Sequence, residues 1–147
     1  MPVTILTAQR QHLDTWLTLR QAIYHDVAAD DHLQEMQQFL SADDKACLLA
    51  HGTDGEICGM LELTLRNIVD GCLTSPVGYI EGIYVRETDR GRGIARQLTR
   101  HAEQWCRDRG CREIATDAEW DNSAAQRYHL HMGFEETYRV IEYRKTL

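Results

Sequence analysis

No run of this sequence approaches the roughly 18 consecutive apolar residues of a membrane-spanning helix. The opening Met1-Pro2-Val3-Thr4 has neither a basic n-region nor an apolar h-region. Both absences set the expectation of a cytoplasmic protein with no membrane partner. Cys-x-x-Cys never occurs: Cys47, Cys58, Cys72, Cys106 and Cys111 are odd in number and scattered through apolar segments. They read as reduced core residues rather than a disulfide framework or zinc site. His129 and His131 point to different helix faces with no Cys or carboxylate cluster to complete a ligand set, so no metal is expected. Also missing are Gly-x-x-x-x-Gly-Lys-Ser/Thr and a full Gly-x-Gly-x-x-Gly with an acidic residue about twenty positions on, which disfavours nucleoside triphosphates and dinucleotides. Positive charge is in deficit, with 16 Lys and Arg against 23 Asp and Glu, a formal charge of −7. Such a molecule repels phosphate backbones, so nucleic acid is not expected, and it attracts a polycation.

What is present suits one domain spanning residues 1–147: 43% of the residues are hydrophobic, and no repeat, low-complexity run or linker interrupts them. Val3 to Leu6 predicts a strand, and Leu13, Trp16, Leu17, Ile23 and Tyr24 fall on one face of a helix. Leu33, Met36 and Leu40 predict a second helix. Ala46 to His51 and Ile57 to Arg66 flank Gly52-Thr53-Asp54-Gly55 and predict an antiparallel hairpin. Val77 to Val85 alternates as a strand, with Tyr79, Glu81, Ile83 and Val85 on one side and Gly78, Ile80, Gly82 and Tyr84 on the other. Beyond Arg-Gly-Arg-Gly, the residues Ile94, Leu98, His101 and Trp105 mark a helix ended by Gly110. Ile114 to Asp117 predicts a strand parallel to the one before that helix. Asp121-Asn122-Ser123 caps a last helix running to about Met132, and the tail from Phe134 to Lys145 is β-rich, as one strand or two.

Arg90-Gly91-Arg92-Gly93-Ile94-Ala95 lies between a predicted strand and the start of a helix. Taken alone, the glycine pair only shapes a turn. In this setting the small residues let backbone N–H groups approach an anion that the helix N-terminus also favours, and a pyrophosphate suits the place. Glu81 interrupts an apolar strand beside Gly82, so its carboxylate serves a site, or else it faces solvent on an exposed sheet face. Asp117 at a strand end either joins it or turns the chain.

The stretch from Arg90 to Ala95 resembles the Arg/Gln-x-x-Gly-x-Gly/Ala signature of the GNAT superfamily of acetyltransferases, with Arg90, Gly93 and Ala95 at the defining positions. Downstream, Asn122, Ala125 and Gly133-Phe134 continue the resemblance. It implies an α+β fold in which a mixed, mostly antiparallel twisted sheet contains a parallel splayed strand pair and is flanked by about four helices. It also implies an acetyl-CoA cosubstrate held by Ile83, Tyr84, Val85, Arg90, Gly91, Arg92, Gly93, Ile94, Ala95 and Asn122. The family's usual Tyr, which protonates the departing thiolate, is replaced by His129, while Tyr128 sits one place earlier. Imidazole titrates near neutrality and is able to take over that task; the other reading makes His129 a packing or surface residue.

Segments such as Asn67-Ile68-Val69-Asp70-Gly71-Cys72, Glu81-Gly82-Ile83-Tyr84-Val85 and Gly133-Phe134-Glu135-Glu136-Thr137 are similar to those of aminoglycoside 6'-N-acetyltransferases. That similarity implies a polycationic acceptor, antibiotic resistance and a homodimer. Glu81 and Asp117 are then the carboxylates beside the acceptor amine, with Glu119 and Asp121 adding negative potential and Trp16 and Tyr24 bordering the substrate. Trp120 is a further candidate for packing on a sugar face, whereas Trp105 reads as core. Acetylation of a protein N-terminus, a polyamine or another small amine stays open, as does a catalytically silent CoA-binding module.

Overall fold

A computed structural model describes residues 3–147. Five strands lie in the order β1-β2-β3-β4-β5: β1 (Thr4–Thr7), β2 (Lys45–His51), β3 (Ile57–Arg66), β4 (Val77–Val85) and β5 (Ile114–Ala115). The first four pair antiparallel and β4 with β5 parallel. Four helices accompany them, α1 (Leu13–Ile23), α2 (Ala29–Ser41), α3 (Ile94–Asp108) and α4 (Ser123–His131).

The β2–β3 turn closes because the Asp54 carboxylate accepts the Glu56 N–H at 3.0 Å while Gly55 takes φ +87°. The sheet buries both faces, which is why β3 reads as a nearly unbroken apolar run. Ala46, Leu48, Leu61, Leu63, Ile80 and Val85 meet Ile94, Leu98, Ala102 and Cys106 of α3 on one face. Leu49, Met60 and Cys47 meet Trp16, Leu19 and Met36 of α1 and α2 on the other. The buried stripe of α3 is therefore Ile94, Leu98, Ala102 and Cys106, and the expected His101 is exposed instead. Gly78 has no side chain because the Cys106 sulfur fills the space, 2.1 Å from where a Cβ would stand. Asn122 caps α4 by accepting the Ala125 N–H at 3.0 Å.

Two further expectations are corrected. β5 ends at Ala115 rather than Asp117, because β4 and β5 pair only at Gly78↔Ile114 and Tyr79↔Ala115 before they part. The tail, residues 134–147, forms no strand among the described residues; a strand exists only through a neighbour's hydrogen bonds, and none is offered to it.

Candidate active site

Glu81 owes its position to a break in pairing. On β3 and β4 the register runs Glu62↔Gly82 and then Leu63↔Ile80, so Glu81 is an extra residue with no partner opposite. Such a bulge re-aims a side chain and reverses the alternation beyond it. Ile80 and Ile83, three residues apart, consequently both pack toward α3, while Tyr84 packs toward α1 and α2. The uniform alternation expected of β4 holds on either side of Glu81 but not across it.

The carboxylate meets a polar stripe on β3, where Glu62, Thr64 and Arg66 alternate with leucines. Thr64 Oγ1 donates to Glu81 Oε2 at 2.8 Å, and the Arg66 guanidinium donates to both carboxylate oxygens at 2.8 Å. Arg66 also lies over the Tyr79 ring, 3.5 Å from its centroid. The Tyr79 hydroxyl donates to the Asp117 carboxylate, so the two carboxylates named from the sequence belong to one connected group. Burial and then Asp117 raise the Tyr79 phenol well above its ordinary value and keep it a neutral donor. Tyr24 closes the group from α1, its hydroxyl donating to the Glu81 carbonyl at 3.3 Å. A Cβ on Gly82 would stand 2.3 Å from that hydroxyl, which accounts for the glycine.

Behind Tyr24 a buried network ties α1 and α2 to the sheet. Arg20 donates to Glu62 at 2.6 Å, to His32 Nδ1 at 3.0 Å and to Glu35, and Trp16 Nε1 donates to Glu62 at 2.8 Å. Trp16 is thus core, not a platform for a sugar ring, because its indole N–H is spent on a buried carboxylate. Trp120 is exposed, with Arg139 over its ring at 5.0 Å. Sequence reading missed Thr64, Arg66, Tyr79 and the Arg20 network. A signal existed, since three polar residues at period two on an otherwise apolar strand mark a polar stripe under a covered face.

At the other end of β4 the loop before α3 is an open cradle. Gly91 and Gly93 take φ +79° and +75°, and a Cβ on either would meet nothing within 4 Å. Among the described residues, no acceptor takes the N–H groups from Gly91 to Arg96, so the loop and the start of α3 leave a row of donors open to an anion. Arg90 Nε donates to the Val85 carbonyl at 2.9 Å and braces the loop, and Arg92 reaches Asp89 at 3.5 Å. Asn122, Glu119 and Asp121 lie together in the exposed turn before α4, where Asn122 spends its oxygen on the cap.

His129 packs edge-on against Phe134, with ring centroids 5.6 Å apart, and its Nδ1 is buried without a partner. Burial holds its imidazole below the ordinary value against the opposing pull of Asp117, so it is neutral near pH 7. Tyr128 points to α3, bonded to Thr99 Oγ1 at 2.8 Å.

A bulged carboxylate beside a parting parallel strand pair, with an open glycine loop between the end of β4 and α3, is an arrangement suited to an acyltransferase. The chain belongs to the acetyltransferase (GNAT) family, whose sequence profile matches residues 13–134. It is 39% identical over 144 residues to an aminoglycoside N(6')-acetyltransferase type 1 of Serratia marcescens, covering 97% of this chain and 99% of that one. To the enzyme of that name from Salmonella typhimurium it is 41% identical over 137 residues, 92% and 94% of the two chains. Its fold is similar to the structure of AAC(6')-Iy in complex with the bisubstrate analog CoA-S-monomethyl-acetylneamine, at a TM-score of 0.95 and 37% identity over all of both chains. Similar too is AAC(6')-IG from Acinetobacter haemolyticus, with a TM-score of 0.92 and 39% identity over 98% and 99% of the two chains. No helix of the described residues is long and apolar enough to cross a membrane.

Proposed function

We propose that this enzyme transfers the acetyl group of acetyl-CoA to the 6'-amino group of an aminoglycoside and so confers resistance to it. The observation that carries the reading is Glu81, aimed by its bulge to the place where β4 and β5 part and linked through Arg66 and Tyr79 to Asp117. An ammonium group cannot attack a thioester. Glu81 takes its proton through a water, Asp117 assists electrostatically, and attack follows directly in a ternary complex. The free amides from Gly91 to Arg96 hold the CoA pyrophosphate, Asn122 borders the CoA site, and the β4 amides near Ile83 and Tyr84 polarise the thioester carbonyl. Tyr24, Glu119 and Asp121 border the acceptor, whose several charges the net −7 of the chain attracts. A neutral, half-buried His129 is a weak proton source for the thiolate, which favours its packing role.

Purified protein mixed with acetyl-CoA and a panel of kanamycin-type aminoglycosides, polyamines and peptides is expected to release free thiol with the aminoglycosides at low concentration. Release with peptides or polyamines alone would overturn the acceptor assigned here, and CoA binding without release would overturn the activity. Gly93→Ala forces a side chain into the left-handed region, at about 1–2 kcal/mol. Its expected result is weaker acetyl-CoA binding by calorimetry.

The protein works as a homodimer in the reducing cytoplasm, where its five free cysteines stay reduced. Exposed Tyr138, Val140, Ile141 and Tyr143 on a tail without strand partners are what a second copy would cover. In sedimentation the full chain is expected at twice its own mass and a chain ending at Phe134 at its own mass; equal masses would refute the tail's part.

A further inference from the structure

Glu81 has a cation on it already. Arg66 holds both of its oxygens at 2.8 Å and rests on Tyr79, yet its side chain is 42% exposed and that of Glu81 is 28% exposed. Arg20, the other arginine of this face, differs in kind: it is 2% exposed and committed to Glu62, Glu35 and His32. One arginine is built in, and the other is placed where it can leave.

The geometry points to Arg66 as a displaceable placeholder for the acceptor's ammonium group, and so as a residue that sets which amines bind. The inference rests on the polycationic acceptor proposed above. An ammonium approaching Glu81 meets a carboxylate whose charge is answered and a guanidinium of its own sign beside it. A singly charged amine offers little in exchange. A polycation offers a further ammonium group to Asp117, which is exposed and holds only the neutral Tyr79 hydroxyl, and so offsets the lost pair. Arg66 then swings into water, with the Tyr79 face remaining as a rest for its guanidinium. No covalent bond is made or broken in this exchange; the ammonium, held one water from Glu81, replaces the guanidinium.

The test is a calorimetric titration of a kanamycin-type aminoglycoside into wild type, Arg66→Gln and Arg66→Lys, at low and at moderate salt. Arg66→Gln is expected to bind about two- to fivefold more tightly, the size of one partly exposed ion pair. The gain should narrow as salt rises, and Arg66→Lys, which keeps the cation, should stay near wild type. Equal or weaker binding by Arg66→Gln would overturn the inference, because Arg66 would then support the substrate rather than stand in for it. A gain that ignores salt, or that Arg66→Lys shares, would do the same, since loss of bulk would explain it. Thiol release by the wild type tests the acceptor separately: an active wild type with no gain in Arg66→Gln refutes the placeholder alone, and an inactive one refutes the acceptor.

Discussion

Arg20→Met is expected to lower the free energy of unfolding by about 3–5 kcal/mol, the size found when one partner of a buried ion pair is removed. Arg20 and Glu62 are 2% and 1% exposed, and Arg20 joins Glu62 on β3 to His32 and Glu35 on α2. Methionine matches the volume but leaves Glu62 with only the Trp16 N–H. Burial already pushes the Glu62 carboxyl above its ordinary value, against the pull of Arg20 and Trp16. Removing Arg20 takes away the main opposing influence and raises it further. The sign follows: between the unfolded value near 4.5 and the raised folded one, the folded state holds the extra proton, so stability falls as pH rises. The deficit of Arg20→Met should thus be larger at pH 8 than at pH 5.5 in urea denaturation, and pairing it with Glu62→Leu should recover part of it. A deficit below about 1 kcal/mol at pH 8 would class the network with surface ion pairs.

The same network shows why fold and site were unequally legible. Hairpin, crossover and capped last helix are local: Asp54 and Gly55 turn the chain, Asn122 caps α4, and apolar positions recur at periods of two and three to four. The open loop before α3 was legible for that reason too, since glycines at a strand-to-helix junction shape the chain within six residues. A bulge at Glu81 is not local. It is fixed by the register of β3 against β4, and two apolar isoleucines three apart are its only trace in the sequence. Trp16 failed in the opposite way. An aromatic at a helix position looks the same whether it waits for a sugar or for Glu62, forty-six residues away. His101 failed through a face drawn a fraction of a turn too wide, since Ala102 and Cys106 make the true contact. The β-rich tail has its apolar composition but no strand neighbour among the described residues, and composition cannot supply one.

Glu81→Gln is expected to cut turnover with an aminoglycoside about 100-fold, the lower end of what a positioned base contributes, while acetyl-CoA binding stays within about twofold. The variant isolates chemistry from shape. Glutamine fills the same bulge, and its carbonyl oxygen still accepts from Thr64 or Arg66. What is lost is the charge, which both accepts the proton and attracts the acceptor's ammonium. Stability should change by no more than about 1 kcal/mol, because the Arg66 pair faces water on one side. Asp117 remains through Tyr79, so residual turnover is expected rather than none. Steady-state rates from pH 6 to 9, with thiol release as the signal, decide the matter. If Glu81 relays the proton, the rates of the variant should approach those of wild type as pH rises, because the amine then arrives already deprotonated. A uniform loss at every pH would assign Glu81 to holding the acceptor, and an undiminished rate would remove it from the reaction.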